Sequence, residues 1–381
     1  MSFLNLSQEA FGLDISDLSL KIIKLEKKGK RTKLASFGEF FIEKGVIKGG
    51  EIQDVKTLSE ILKEAKRRTK GKKLKTKYVV CSLPEEKAFL QVIQIPKMDP
   101  EEVKKAVYFE AENYIPLPIQ DVYLDCQVIP PLHNHLDHLD VFIAALPKKT
   151  LDPYVEAIKK AGLVPKVLEI ESLAITRATV KDGVSKKPIL LIDLGATKTS
   201  FIIFSGFAIR FTSSIPVSSQ LFTETIAKVL NVKLKEAEKL KLKYGLAGPQ
   251  KVKLLAKREN GIEFTRIISK SKKVFDALIP PLIDLTEQIQ TYLNYYLSHA
   301  SHEHLPPDHK GIERILLSGG GANLKGLGEF LKEKLKVPVN LANPWINILP
   351  PPLKNPPQLS FEDSLRYTTA IGLALRGIAN N

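Results

Sequence analysis

The sequence is poor in residues that build covalent or redox chemistry. Its 381 residues hold two cysteines, Cys81 and Cys126, each in an apolar, strand-like run. Such positions fit reduced core thiols better than a bridge, which excludes a disulfide-stapled scaffold and agrees with a cytoplasmic protein. No apolar run approaches the ~20 residues of a membrane-spanning helix. No basic leader followed by an apolar stretch opens the chain, so no secretory signal is expected. A Gly-Lys-Ser/Thr phosphate loop is missing, and no Ser-His-Asp or Cys-His arrangement is legible. Histidines form two sparse sets, His133, His135 and His138 beside Asp137, and His299, His302, His304 and His309. Neither set has a rigid element to fix ligands, so solvated loops are expected rather than metal sites.

Acidic charge is also in deficit, leaving a net charge of +15. Much of the excess crowds residues 63–77, with Lys63, Lys66, Arg67, Arg68, Lys70, Lys72, Lys73, Lys75 and Lys77. Upstream, Leu58, Ile61, Leu62 and Ala65 mark one helical face, so the run reads as a solvated helix end and loop. Aromatic interleaving and zinc patterns are missing beside it, and nucleic acid is not expected as a partner. Attraction to an anionic membrane face is the second reading of this patch. Hydrophobic content of 44% and charged content of 26% are those of an ordinary soluble globular chain, long enough for two or more domains.

What is present is a repeated pattern, half a chain apart. Residues 11–25 run apolar residues through Phe11-Gly12-Leu13-Asp14, then Ile15-Ser16-Asp17-Leu18-Ser19, into a second apolar run. Residues 191–204 do the same, through Leu191-Ile192-Asp193-Leu194-Gly195-Ala196-Thr197-Lys198-Thr199. Each reads as a strand, a tight turn and a returning strand, with Asp14 and Asp193 at the same place in the two copies. Paired hairpins with acidic and hydroxyl-bearing tips suit two lips of a phosphate-and-metal cleft. Hydrated Mg²⁺ typically uses one or two carboxylates plus phosphate, and Asp14 and Asp193, one per lip, can supply the carboxylates. Ser16, Ser19, Thr197 and Thr199 offer hydroxyls, and Gly195 and Ala196 let turn N–H groups face phosphate. The alternative is that Asp and Ser simply cap tight turns. Lys198, an unusual charge inside the second turn, could add a phosphate contact or simply point to water, and the second is expected. A third element follows: strand 312–318 empties into Gly319-Gly320-Gly321-Ala322, ahead of a helix over 323–335 with Leu324, Leu327, Leu331 and Leu335 on one face. Consecutive glycines there let a ring or phosphate approach bare backbone.

Three motifs in this order are those of the actin and sugar-kinase superfamily. More narrowly, the chain resembles the PilM family of actin-like type IV pilus assembly proteins and, more distantly, the FtsA family of cell division. The resemblance runs from about residue 11 to 377. It is carried by Phe109-Glu110-Ala111-Glu112-Asn113-Tyr114-Ile115-Pro116-Leu117-Pro118 with Asp121 and Asp125, by residues 237–241 with Gly245, and by Asn343-Pro344-Trp345. Ser16 departs from the pattern, standing where more distant relatives carry glycine.

The resemblance implies an α/β, actin-like (ribonuclease H-like) duplicated two-half fold with an FtsA-type inserted small subdomain. The first half would span 1–187 with its insertion at about 78–165, and the second 188–381 with an insertion at about 232–311. Residues 181–188 are the linker candidate. The resemblance also implies ATP and Mg²⁺ as ligands, with at most slow hydrolysis. It assigns Glu238 and Lys241 to an adenine and ribose site, against the reading of a solvated charged helix. Glu171 lies where such proteins connect their halves; it would position an attacking water or hold a hinge by hydrogen bonds. The implied partner is the cytoplasmic N-terminal peptide of an inner-membrane PilN-like protein, docked between the core and the small subdomain, with other pilus assembly components and self-association in addition. Membrane contact would be indirect, because residues 376–381 carry no basic amphipathic tail. The alternatives are an FtsA-like filament protein or a small-molecule kinase on the same fold.

Overall fold

The computed structural model describes residues 9–29, 31–132, 137–246, 261–299, 304–305, 311–349 and 358–378. The first repeat folds as β1 (Phe11–Ile15) and β2 (Ser19–Lys28), paired antiparallel with Asp14 opposite Lys21. Strand β3 (Arg31–Phe41) extends this meander. A two-stranded ribbon, β4 (Ile47–Lys48) with β5 (Glu51–Ile52), leads to helix α1 (Val55–Arg68) and the short β6 (Lys70–Gly71). Strand β7 (Tyr78–Leu83) then lies parallel to β1 on its other side.

The chain next leaves this sheet. Strands β8 (Phe89–Pro96), β9 (Val122–Val128) and β10 (His138–Pro147) form a separate sheet in the order β8-β10-β9, with helix α2 (Pro100–Ala111) between β8 and β9. Helix α3 (Lys148–Lys160) returns the chain to β11 (Val164–Ile170), parallel to β7 and completing the order β11-β7-β1-β2-β3-β6. Helix α4 (Glu171–Thr179) crosses to the second repeat.

There the pattern recurs. Strands β12 (Ser185–Leu194), β13 (Thr199–Gly206) and β14 (Ala208–Ile215) form an antiparallel meander. Helices α5 (Ser219–Leu230), α6 (Leu234–Tyr244) and α7 (Gly261–His299) follow. Strand β15 (Arg314–Ser318) runs parallel to β12, and after helix α8 (Leu327–Leu335) so does β16 (Val339–Leu341) to β15. Both large sheets are thus a three-stranded meander extended by parallel strands on the side of its first strand. Helices α9 (Phe361–Leu365) and α10 (Thr368–Ile378) close the described chain.

Strand periodicity explains the layering. Side chains alternate across a sheet, and β12 is apolar on both faces. Leu190, Ile192 and Leu194, with Phe201 and Ile203 of β13, face a core shared with α5, α7 and α8. Ile189, Leu191, Ile202 and Phe204 face the opposite way, onto Ile175 of α4 and Phe142 of the small sheet. That small sheet buries its other face, Ile93, Ile95, Val141 and Ile143, against Val103, Val107 and Ala111 of α2. Helices α1 and α3 cover one face of the first large sheet through Leu58, Leu62, Tyr154 and Ile158. Its other face meets α10 and α4.

Helices α4 and α10 meet almost backbone to backbone. A Cβ on Gly372 would lie 1.8 Å from the Ala174 carbonyl oxygen, and one on Gly12 would lie 2.3 Å from that of Ala370. Arg177 locks the crossing by pairing with Glu169 and donating from Nη1 to the Gly372 carbonyl oxygen at 3.3 Å. Trp345, in the Asn343-Pro344-Trp345 segment, is buried against α10.

Asp54 caps α1, accepting from Thr57 N at 2.9 Å and from Thr57 Oγ1 at 2.7 Å. Asp99 makes no side-chain cap to α2, which ends at Ala111. Two expectations from the sequence are corrected. Of the linker 181–188, a single 3-10 turn at Lys181–Gly183 is loop-like, and Ser185 already begins β12. His138 is fixed in β10 beside Asp137 and Asp140, and His304 is buried against Ser205, so neither is a solvated loop residue. His299 ends α7 stacked on Tyr295. His133, His135, His302 and His309 lie outside the described residues.

The α4–α10 contact makes a testable demand. Gly372→Ala is expected to cost about 1–3 kcal/mol by overpacking. Gly328→Ala in α8 meets no atom within 4 Å and gains up to about 1 kcal/mol of helix propensity. Urea unfolding of both variants checks this, and equal midpoints would refute the close crossing.

Candidate functional site

The tips of both hairpins and the glycine turn after β15 converge on one cleft of about 320 Å³, within the range of small-molecule sites. Its lining includes Asp14, Ser16 and Ser19 from the first repeat, and Asp193, Gly195, Ala196 and Thr197 from the second. Glu171, Glu238, Lys241, Gly319, Gly320 and Gly321 complete the expected set found there. Thr199 and Ala322 do not line it. Thr199 is the first residue of β13, fully buried, with Oγ1 donating to the Val217 carbonyl oxygen at 2.6 Å. Ala322 sits in a 3-10 turn (Gly320–Asn323) and packs into the core beneath the second sheet.

Each aspartate is held in the same way. Ser82, on the parallel strand beside β1, donates to Asp14 Oδ1 at 3.1 Å. Ser318, on the parallel strand beside β12, donates to Asp193 Oδ1 at 2.8 Å. The sequence reading missed both serines, since the parallel pairing that brings them in joins residues far apart in the chain. Burial pushes the Asp193 carboxyl up, against the lowering effect of the Ser318 hydrogen bond.

The turns differ in detail. In the first, Ser16 Oγ lies 3.0 Å from Ser19 Oγ, and Lys21 Nζ donates to Ser19 Oγ at 2.9 Å while standing 3.7 Å from Asp14 Oδ2. Lys21 was legible in principle: a two-strand register with Asp14 near the turn puts it directly opposite. In the second, Gly195 N donates to the Lys198 carbonyl oxygen at 2.9 Å. The N-terminus of α5 rests on that turn, with Ser219 N donating to the Gly195 carbonyl oxygen and Gln220 N to that of Ala196. At the third, Gly319 has φ +82°, and a Cβ would lie 2.5 Å from the Leu194 carbonyl oxygen, so glycine alone lets β15 turn against β12.

Lys241 is nearly buried, not solvated. Its Nζ donates to the Ser219 carbonyl oxygen at 2.8 Å and to Thr223 Oγ1 at 2.7 Å, and pairs with Glu238 at 2.8 Å. Burial lowers its pKa, with Glu238 opposing. At the mouth, Arg366 and Glu39 pair across the cleft at 3.3 Å. Neither was anticipated.

Lys198 does not point to water. Its Nζ pairs with Glu86 and, at 2.7 Å, with Glu171. Those carboxylates hold its ammonium above the ordinary lysine range, against desolvation. Burial pushes Glu171 up to about 8, with Lys198 opposing and the charges of Glu86 and Asp14 adding.

Asp14 and Asp193 each keep a second carboxylate oxygen beyond the one held by serine, which fits a hydrated divalent cation bound together with phosphate. Among the described residues no group of three or more His, Cys, Asp or Glu side chains forms a metal site by itself.

The family model for type IV pilus assembly protein PilM matches residues 12–257. The chain belongs to the PilM family. A model for cell division protein FtsA matches residues 190–377 of this PilM-family chain. A solved PilM-PilN type IV pilus biogenesis complex is 28% identical, with a TM-score of 0.76 over 98% of this chain and 100% of that one. FtsA of Pseudomonas aeruginosa is 25% identical over 58% of this chain and 50% of its own length; that of Enterococcus hirae is 29% identical over 52% and 43%. The chain spans about half the length of the curated relatives it matches. Spiroplasma citri MreB5 bound to ADP, at 14% identity, a TM-score of 0.52 and coverage of 97% and 96%, shares the fold alone. The fold of this PilM-family chain is actin-like.

The raised Glu171 carboxyl has a defined consequence. Between 4.5 and about 8 the folded state carries more protons there than the unfolded state. Its stabilising contribution is complete below 4.5 and is lost as pH rises through about 8, with a slope of at most ~1.4 kcal/mol per pH unit. Thermal unfolding across this window is expected to decline less in Glu171→Gln than in wild type. Parallel profiles would mean that Glu171 titrates in its ordinary range.

Proposed function

We propose that this chain is a nucleotide-binding scaffold of type IV pilus assembly that captures the cytoplasmic N-terminal peptide of an inner-membrane PilN-like protein. The observation that carries it is the matched pair of serine-held aspartates facing a glycine turn across one cleft. The relative solved as a PilM-PilN complex supports the partner.

ATP with Mg²⁺ is the proposed ligand. Asp14 and Asp193 would hold the cation through its water shell, and the cation would supply charge neutralisation for the phosphates. Ser16, Ser19, Gly195, Ala196 and Thr197 line the same space and would meet phosphate oxygens, with the Gly195 N–H already bonded to the Lys198 carbonyl oxygen. Gly319, Gly320 and Gly321 let a base lie close to backbone, and Glu238 and Lys241 flank that place. Binding across both lips couples their separation to occupancy. Phosphoryl transfer to a metabolite is not part of this reading, since fold alone does not establish it.

The proposed division puts the first half at 1–187 with its insertion at about 78–165, and the second at 188–381 with its insertion at about 232–311. The peptide would dock between the core and the first insertion. Among the described residues no helix is long and apolar enough to cross a membrane. The proposed location is cytoplasmic, peripheral to the inner membrane through the partner.

Calorimetry with a PilN-like N-terminal peptide, with and without Mg·ATP, tests this. Wild type is expected to bind peptide at roughly micromolar Kd, with an affinity that changes on adding Mg·ATP. Asp14→Ala is expected to lose about tenfold or more in nucleotide affinity and with it the change in peptide binding. Peptide that binds under neither condition would overturn the assignment of partner.

A further inference from the structure

Lys198 joins three elements at the edge of the cleft. It sits in the turn between β12 and β13, on the lip of the second repeat. Glu171, its partner at 2.7 Å, is the first residue of α4. Glu86, its other partner, belongs to a 3-10 turn (Glu85–Lys87) that ends β7 and begins β8 of the small sheet. Glu86 does not line the cleft; Lys198 and Glu171 do.

That turn is anchored on each side. Glu85 is buried, and its Oε2 accepts from Ser172 N of α4 at 3.2 Å. Glu85 Oε1 and Ser172 Oγ are buried without hydrogen-bond partners. Lys87 pairs with Glu51 of β5 at 2.7 Å, within the first repeat. The Glu86–Lys198 pair therefore fastens the turn to the second repeat. Farther along, β10 is tied to β14 by Asp140 and Arg210 at 2.7 Å, both nearly buried. Beyond the apolar packing of Phe142 on the second sheet, the small sheet and the turn leading into it are thus tied to the second repeat by two ion pairs, one of which reaches the cleft.

We infer that Lys198 is a phosphate-responsive latch: unliganded, it clamps Glu86 and Glu171, and the phosphates of a nucleoside polyphosphate in the cleft draw it off Glu86, releasing the turn that leads into the small sheet. The physical argument is competition for one charge. A lysine held in a partly desolvated place by glutamate oxygens on two sides moves toward whichever anion offers more charge at close range. A polyphosphate between Gly195 and Gly319 brings several negative oxygens to the Lys198 turn. Glu86, at the outer side, then loses its partner, and the turn loses its ion-pair tie to the lip of the second repeat while its packing against β14 remains. This inference rests on the nucleotide reading of the cleft, and it gives that reading a route to the small sheet, which lies outside the cleft.

Hydrogen exchange of the full chain, followed at Glu85–Lys87 and Phe89–Pro96, tests it with ATP and Mg²⁺ as the probe. In wild type, ATP is expected to speed exchange in these segments by about fivefold. Glu86→Ala is expected to show that faster exchange without ATP and no further change with it, while its ATP affinity stays within about threefold of wild type. Lys87→Ala, which cuts the other anchor, is expected to keep the ATP response. The latch is overturned if Glu86→Ala leaves unliganded exchange unchanged, if ATP still shifts it as in wild type, or if Lys87→Ala abolishes the response equally. Wild type that binds no ATP would instead overturn the nucleotide reading, while faster exchange in unliganded Glu86→Ala would still support the clamp.

Discussion

Two carboxylates buried at the ends of apolar strands set the condition on which the molecule depends. A carboxylate taken out of water is costly unless its charge and lone pairs are met. Asp14 and Asp193 meet this with one serine each, from the adjacent parallel strand. That solution requires β7 beside β1 and β15 beside β12, so it requires the crossover helices between them. A meander alone would leave Asp193 without its serine and Asp14 with Lys21 alone. The duplicated topology and the duplicated Asp–Ser pair are therefore one constraint seen at two scales.

The hairpins were legible because their information is local. Alternating apolar residues, an Asp and a short polar turn sit within fifteen positions, and the backbone follows them. Thr199 shows the limit of that kind of reading. Among turn hydroxyls it looked equivalent to Thr197, but it is the first strand residue after the turn, and the pleat sends its side chain into the core. Ala322 fails for a related reason: after three glycines the chain winds into a 3-10 turn, and its side chain falls on the inner face.

Lys198 was misread because its partners are remote. Glu86 is 112 residues away, and Glu171 is on a helix whose position depends on two sheets. No periodicity carries that information. Arg366 and Glu39 were missed likewise, being 327 residues apart. By contrast, Lys21 follows from hairpin register alone. What remains hidden from one sequence is the set of charged contacts that long-range pairing creates, and these contacts line much of the cleft.

The α4–α10 crossing limits how the lips can move relative to each other. Close-packed interiors transmit displacement rather than absorb it. With Gly372 against the Ala174 carbonyl and Gly12 against that of Ala370, sliding either helix along its neighbour drives side chains into backbone. Rotation about the contact keeps those distances and repacks fewer atoms, which is how hinge motions use points of close approach. The residues of that contact do not line the cleft, whereas Glu39, Arg366 and Lys198 do. Close packing at the glycines and charge in the cleft are therefore carried by separate residues, so the charged pairs can rearrange without loosening the helix crossing.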